Sequence, residues 1–150
     1  MRFQAQPRTG ATVVESAVVY PLVFLFTVGF IVGTMGIFRY QEVATLAREA
    51  CRYASVHGAD YAKDNNMTVP SPTDIHNEAV LPRVVGLDPA QIKTTITYDK
   101  SNAPYHSKIV NNEVVFVQNT VTVVVSYTWI PEAFLGGLTL TSSCSMPMSY

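Results

Sequence analysis

The chain has 150 residues, of which 48% are apolar and only 14% are charged, and its formal net charge at pH 7 is −1. That length leaves room for one membrane helix and one small domain of about 100 residues. The balanced charge argues against a nucleic-acid partner, because a surface that binds a duplex usually carries a basic excess or a clustered basic stripe.

The N-terminal part of the chain is a short basic leader followed by a long apolar run. Residues 1–10 contain Arg2 and Arg8 and no acid, and residues 16–38 contain no Asp, Glu, Lys, Arg or His. About 20 apolar residues at 1.5 Å each span a hydrocarbon core about 30 Å thick, so we predict a transmembrane helix over residues 11–38. The leader is expected to stay in the cytoplasm by the positive-inside rule, which makes residues 39–150 an exported domain.

A cleaved secretory signal is the competing interpretation of this N-terminus. The apolar part of such a signal is about 7 to 15 residues long and ends at an A-x-A-like site. The run in this chain is longer, and no such site closes it. We therefore expect the helix to remain attached to the exported domain.

One acid, Glu15, stands at the start of the apolar run. Gly10, four uncharged residues and then Glu15 resemble the processing site of type IV pilin precursors, in which a membrane aspartyl peptidase cuts after the glycine. The cut would fall between Gly10 and Ala11, with Glu15 fifth in the mature chain. The alternative is that Glu15 only interacts with the helix dipole, which is worth roughly 0.3–1 kcal/mol in the first turn of any helix.

Two glycines, Gly29 and Gly33, lie about one turn apart on one face of the predicted membrane helix, with Gly36 close to the same stripe. Such spacing lets another helix backbone approach closely, so it predicts a helix–helix contact. Glycine is also common in membrane helices without such a contact. Pro21 removes one backbone hydrogen bond and is expected to bend the first part of the helix.

The helix is predicted to continue past the membrane to residue 57, since residues 39–57 contain no Pro or Gly and Gly58 is a suitable stop. Small or apolar residues recur there with a period near 3.6, which indicates a buried stripe: Val43, Ala47, Ala50, Cys51 and Ala54.

A polar stretch and a second helix are predicted next. Residues 59–66 are rich in Asp, Asn and Lys, which is typical of a loop. Ser71 as a cap, Pro72 at the first helical position and Asp74 near the positive end of the dipole indicate a helix start. We expect this helix to end at Val80 or Leu81, before Pro82. Asp88-Pro89 indicates a further turn.

The rest of the chain alternates with period two, which predicts strands. Asn111-Asn112 indicates a hairpin, and Gln118-Asn119 a turn or bulge between two shorter strands. Three sets of residues are each expected to share one strand face: Ile92, Ile96 and Tyr98; Val115, Val117, Val121, Val123, Val125, Tyr127 and Trp129; and Leu138, Leu140, Cys144, Met146 and Met148. The expected fold is α+β, with an antiparallel sheet against the exported half of the long helix.

Three segments together resemble TadE-like proteins, which are minor pilin-like components of the tight-adherence (Flp-type) pilus assembly system. They are the RxGxxxxE…P opening at residues 8–21, the AREACRYAS segment at residues 47–55 and the apolar strand region at residues 121–146. Ser16 departs from the aromatic residue often found at that position, and residues 59–112 have no specific match. The resemblance implies a single-pass protein of the bacterial inner membrane whose partners are a prepilin peptidase, other pilin-like subunits and pilus assembly proteins.

An enzymatic function is not predicted. His57, His76 and His106 show no metal-ligand spacing, and the chain has neither a nucleophile elbow nor a Gly-rich loop before a helix. We therefore expect no cofactor and no metal, and solvent-exposed histidines. The second hypothesis for the function is an uncleaved, membrane-anchored module whose exported sheet binds an envelope ligand.

The two cysteines, Cys51 and Cys144, fall on the predicted core faces of the long helix and of the last strand. Export would make oxidation possible, so we predict a disulfide between them. The alternative is two buried thiols that pack as small hydrophobic groups.

Overall fold

The structure is a computed structural model that describes residues 9–100, 102–131 and 136–150, with only the backbone of Thr9 and Ala11. Residues 1–8, which include the leader arginines Arg2 and Arg8, lie outside the described residues. The chain divides into two compact units, Met1–Ile37 and Phe38–Tyr150. Helix α1, Thr9–Val56, supplies the described part of the first unit and the start of the second, and it includes Pro21.

The described part of the first unit is apolar around its whole circumference. Large side chains are exposed on every side, with Phe24 71%, Phe26 73% and Phe30 78% exposed. A helix that is apolar all round requires an apolar environment, because no one-sided core can cover it. One window of this helix is long and apolar enough to cross a membrane.

The second unit contains the rest of α1, two short helices and five strands. The helices are α2, Ala59–Asp64, and α3, Pro72–Ile75. A π-helical turn at His76–Val80 and 3-10 turns at Leu81–Arg83 and Pro89–Gln91 follow. The strands are β1 Ile92–Tyr98, β2 Tyr105–Val110, β3 Glu113–Gln118, β4 Thr120–Trp129 and β5 Leu138–Pro147. The predicted α+β class is confirmed.

Two antiparallel sheets form from these strands, in the orders β1-β4-β5 and β2-β3. In the three-stranded sheet Val123 of β4 lies opposite Ile96 on β1 and opposite Cys144 on β5. Every second residue of β4 from Val121 to Trp129 is buried, as the alternating pattern predicted. The second half of α1 supplies the other side of the core through the predicted stripe: Val43, Ala47, Ala50, Cys51 and Ala54, all 0% exposed.

Asn119 separates β3 from β4 and is fully buried. Its Oδ1 accepts hydrogen bonds from the backbone N–H of Lys100 and of Thr120. Its own backbone N–H donates to the Pro104 carbonyl. These bonds end one ladder and begin the next, which confirms the break predicted at Gln118-Asn119.

The prediction that Val115 and Val117 share the buried face of β4 is wrong. Both residues belong to β3, in the separate two-stranded sheet, and are 42% and 36% exposed. The predicted Asn111-Asn112 hairpin is confirmed. Both asparagines have a positive φ, 53° and 66°, which a two-residue turn between right-twisted strands requires.

The prediction of a loop over residues 59–66 is also wrong, because α2 occupies most of it. Ala62 is 3% exposed and anchors this helix. On its other side the Tyr61 ring packs edge-on against His57 at 4.5 Å and Tyr150 at 5.9 Å, measured between ring centroids. Tertiary contacts of two residues thus override a polar composition.

Helix α3 starts as predicted, at Ser71. The Ser71 hydroxyl accepts from the Asp74 backbone N–H, and the Asp74 carboxylate accepts from the Ser71 backbone N–H, which completes a capping box. Hydrogen bonds from Ser71, first from its hydroxyl, lower the pKa of Asp74. The predicted continuation to residue 80 is present as a π-helical turn instead of regular α-helix.

Candidate processing and assembly site

Gly10 and Glu15 both lie on the first turns of α1, and both are exposed. A Cβ built on Gly10 would meet no atom within 4 Å. Within the described residues Glu15 has no hydrogen-bond or ion-pair partner. Among the described residues, therefore, nothing packs against Gly10 and no group pairs with the Glu15 carboxylate.

Two threonines within the apolar stretch of α1 satisfy their hydroxyl hydrogen bonds locally. Thr27 Oγ1 donates to the Val23 carbonyl at 2.7 Å, and Thr34 Oγ1 donates to the Phe30 carbonyl at 2.8 Å. Such bonds to the preceding turn remove the cost of an unpaired hydroxyl in hydrocarbon. Glu15 is the one Asp, Glu, Lys, Arg or His between residues 12 and 38, and its charge is the one in this stretch that requires neutralisation.

Gly29 and Gly33 lie open on the surface of the apolar stretch. A Cβ on either would meet no atom within 4 Å. The close approach that their spacing predicts therefore requires a second helix, and it stays a prediction.

Sequence reasoning missed the environment of Arg39, the first basic residue after the apolar run. Its guanidinium lies 5.6 Å from the ring centroid of Trp129 and donates to the Tyr127 hydroxyl at 3.3 Å and to the Gly86 carbonyl at 3.2 Å. Glu42, one turn further on, accepts from the Val85 backbone N–H at 2.7 Å. The position of Arg39 in the sequence could have indicated this environment, because the first charged side chain beyond an apolar helix requires either water or polar partners in the protein.

Cys51 and Cys144 meet in the core of the second unit, as their positions predicted. The Cys51 Sγ lies 3.3 Å from the Cys144 carbonyl oxygen and 3.6 Å from the Val121 carbonyl oxygen. Both cysteines are free in the structure. Burial, followed by the hydrogen bond with the Cys144 side chain, raises the pKa of the Cys51 thiol to about 12. A raised pKa lowers the thiolate fraction of Cys51, and the thiolate is the form that attacks a disulfide.

We predict that Cys51 and Cys144 form a disulfide in an oxidising compartment. Closing a loop of about 90 residues would stabilise the fold by about 4.6 kcal/mol in the chain-entropy model, less any strain. Thiol labelling of denatured, unreduced native protein should detect fewer than one reactive thiol per chain, and two after reduction. Two reactive thiols without reduction would show that both cysteines are merely packed.

His57 and His76 have structural partners, whereas the buried Nδ1 of His106 has no hydrogen-bond partner among the described residues. The His57 ring stacks on Tyr53 with 3.9 Å between centroids, and His76 Nδ1 lies 2.9 Å from Thr94 Oγ1. All three histidines are half-buried, so the expectation that they face solvent is wrong. In the part of the chain that the structure describes, no three His, Cys, Asp or Glu side chains are grouped to hold a metal ion.

A helix long and apolar enough to cross a membrane, continuing into a small α+β unit, fits a pilin-like membrane protein. Residues 10–52 match the family model described as TadE-like protein. The match begins at the glycine of the candidate processing site and ends in the buried half of α1, and it confirms the TadE-like resemblance over that segment. No curated protein and no solved structure matches the chain.

Proposed function

We propose that this protein is a TadE-type pilin-like subunit of the bacterial cytoplasmic membrane that acts in assembly of a tight-adherence pilus or a related secretion machinery. The observation that carries the proposal is the coincidence of the TadE-like match with the apolar helix, starting at Gly10. The leader is cytoplasmic, and the α+β unit is extracytoplasmic.

Processing by a prepilin peptidase is the first step of this function. Hydrolysis of the Gly10–Ala11 peptide bond releases residues 1–10 and creates a free amine on Ala11. Support comes from the exposure of Gly10 and from the open space at its Cβ position, where no described atom outside its own helix turn lies within 4 Å. A peptidase can therefore reach the glycine without disturbing a packed core.

Assembly then uses Glu15. A carboxylate in or near the hydrocarbon is costly unless it is paired, and the amine on Ala11 of a neighbouring subunit is a cation of matching position. Glu15 is exposed and has no partner among the described residues of its own chain. Pairing between subunits neutralises both charges. It therefore stabilises the side-by-side packing of helices from two pilin-like subunits.

Glu15→Gln tests this role, because it removes the charge and keeps the size and hydrogen-bonding capacity of the side chain. We expect the variant to be cleaved and inserted normally, and to be recovered with pilus-assembly complexes at least about tenfold less than the wild type, which corresponds to about 1.4 kcal/mol. Quantitative co-purification from native membranes measures the ratio. Ser16→Ala, at the next position, is the matched control and should co-purify at wild-type levels. Recovery of Glu15→Gln at the same level as Ser16→Ala would leave Glu15 with only its helix-dipole role.

A further inference from the structure

Strand β3 has the sequence of a central strand but the position of an edge strand. Its residues 114–117 are all apolar, and all four are exposed, with Val114 62%, Val115 42%, Phe116 73% and Val117 36%. A continuous apolar run is typical of strands that are paired on both edges and covered on both faces. Among the described strands β3 pairs with β2 alone.

The open edge of β3 can be assigned from the hairpin geometry. Val110 and Glu113 close a two-residue turn, so they form a pair that is hydrogen-bonded in both directions. Backbone groups of alternate residues then point away from β2, namely those of Val114 and Phe116. Among the described residues these outward N–H and C=O groups have no backbone partner.

The two edges of the hairpin differ in how they are protected. β2 carries Lys108 in the middle of its length, and a lysine on an edge strand blocks pairing with another chain. β3 has no charge between Glu113 and its end at Gln118. Only the β3 edge is therefore free to accept another strand.

We propose that β3 pairs antiparallel with β3 of a second copy of this chain, around a two-fold axis at Val115. The two hairpins then form one four-stranded sheet. The pairing goes beyond the proposed function, because it does not depend on cleavage or on Glu15.

The side chains of β3 are self-complementary in this register. Val115 faces its own copy, and Val114 faces Phe116 in both directions, a β-branched residue against an aromatic one. Glu113 faces Val117, so no like charges oppose each other. The backbone groups of Val114 and Phe116 point outward, so Val114 of one copy and Phe116 of the other form a hydrogen-bonded pair. Val115 and its own copy form a non-hydrogen-bonded pair.

A register centred on Phe116 fits less well. It places Val114 opposite Gln118, and the Gln118 side chain already donates its Nε2 hydrogen bond to the Met148 carbonyl at 2.9 Å. An apolar residue would then face a polar one that is held elsewhere. The axis at Val115 leaves Gln118 outside the pairs formed by residues 113–117, and its apolar–polar pair, Glu113 with Val117, lies at the end of the ladder.

Cysteine cross-linking of the full chain in native membranes tests the pairing. Val115→Cys is a conservative change, and it places two thiols in a cross-strand pair with Cβ atoms about 4.5–5.5 Å apart. Mild oxidation should convert most of this variant to a covalent dimer on a non-reducing gel. Wild-type protein supplies the background for Cys51 and Cys144.

Lys108→Cys is the matched control, because Lys108 lies directly opposite Val115 in the same hairpin. In the four-stranded sheet the two copies of residue 108 are three strand spacings apart, about 14 Å, which is too far for a disulfide. We expect no covalent dimer from it. The proposal is overturned if Val115→Cys gives no covalent dimer on the gel, which is the result expected of a dimer held only by membrane helices. It is also overturned if both variants cross-link equally.

Discussion

Gly58→Ala is expected to lower the free energy of unfolding of the second unit by about 3 kcal/mol, which corresponds to a fall in its melting temperature of about 10 °C or more. A Cβ on Gly58 would overlap the backbone oxygen of Tyr150 and lie 2.6 Å from Met148 Cε. The Gly58 N–H also donates to the Tyr150 carbonyl, and the Ser149 N–H donates to the Ser55 carbonyl. The end of α1 and the C-terminal residues therefore have to separate to admit one methyl group.

Fluorescence of Trp129 during thermal unfolding measures this effect, since Trp129 is the one tryptophan of the chain and is 6% exposed. Gly137→Ala is the matched control, because a Cβ there meets no atom within 4 Å and the backbone φ needs no glycine. It should change the melting temperature by no more than about 2 °C. Equal melting temperatures for the two variants would mean that the C-terminal residues do not pack on Gly58.

Gly10→Val is expected to reduce processing by about a hundredfold, because a branched side chain displaces the scissile bond in a cleft shaped for glycine. In the protein itself the new side chain would enter open space. Loss of cleavage would therefore report recognition by the peptidase and not a failure to fold. Immunoblots of the precursor and mature forms over time measure the ratio.

Val13→Ala is the control for this substitution, since Val13 lies close to the cut and is 67% exposed. It should be processed within about twofold of the wild-type rate. Normal processing of Gly10→Val would remove the glycine from the recognition site, and with it the assignment of the cut.

Local sequence patterns predicted the elements whose buried residues recur at a regular spacing. The stripe from Val43 to Ala54 and the alternation along β4 each specify a buried face by period alone, and the structure has both. The Asn111-Asn112 turn and the Ser71 cap were equally readable, because positive φ and orphan N–H groups select few residue types.

Long-range contacts decided what the sequence could not predict. Helix α2 forms in a polar stretch in which the Tyr61 ring packs against Tyr150, which lies 89 residues further along the chain. Val115 and Val117 continue the alternating pattern of β4. The hydrogen bonds of Asn119, however, change the direction of the chain between β3 and β4. The functional residues differ in the same way. Gly10 and Glu15 were identified from a local motif. The contacts of Arg39 depend on Gly86, Tyr127 and Trp129, none of which is near it in sequence.

The intact mass of the native protein decides whether this chain is a processed pilin-like subunit. Protein purified from the membranes of a host with an active prepilin peptidase should lack residues 1–10 and begin at Ala11. Protein from a strain without the peptidase should retain residues 1–10 and serves as the reference. Retention of Met1 in the peptidase-positive host would contradict the claim and favour the uncleaved, membrane-anchored binding module.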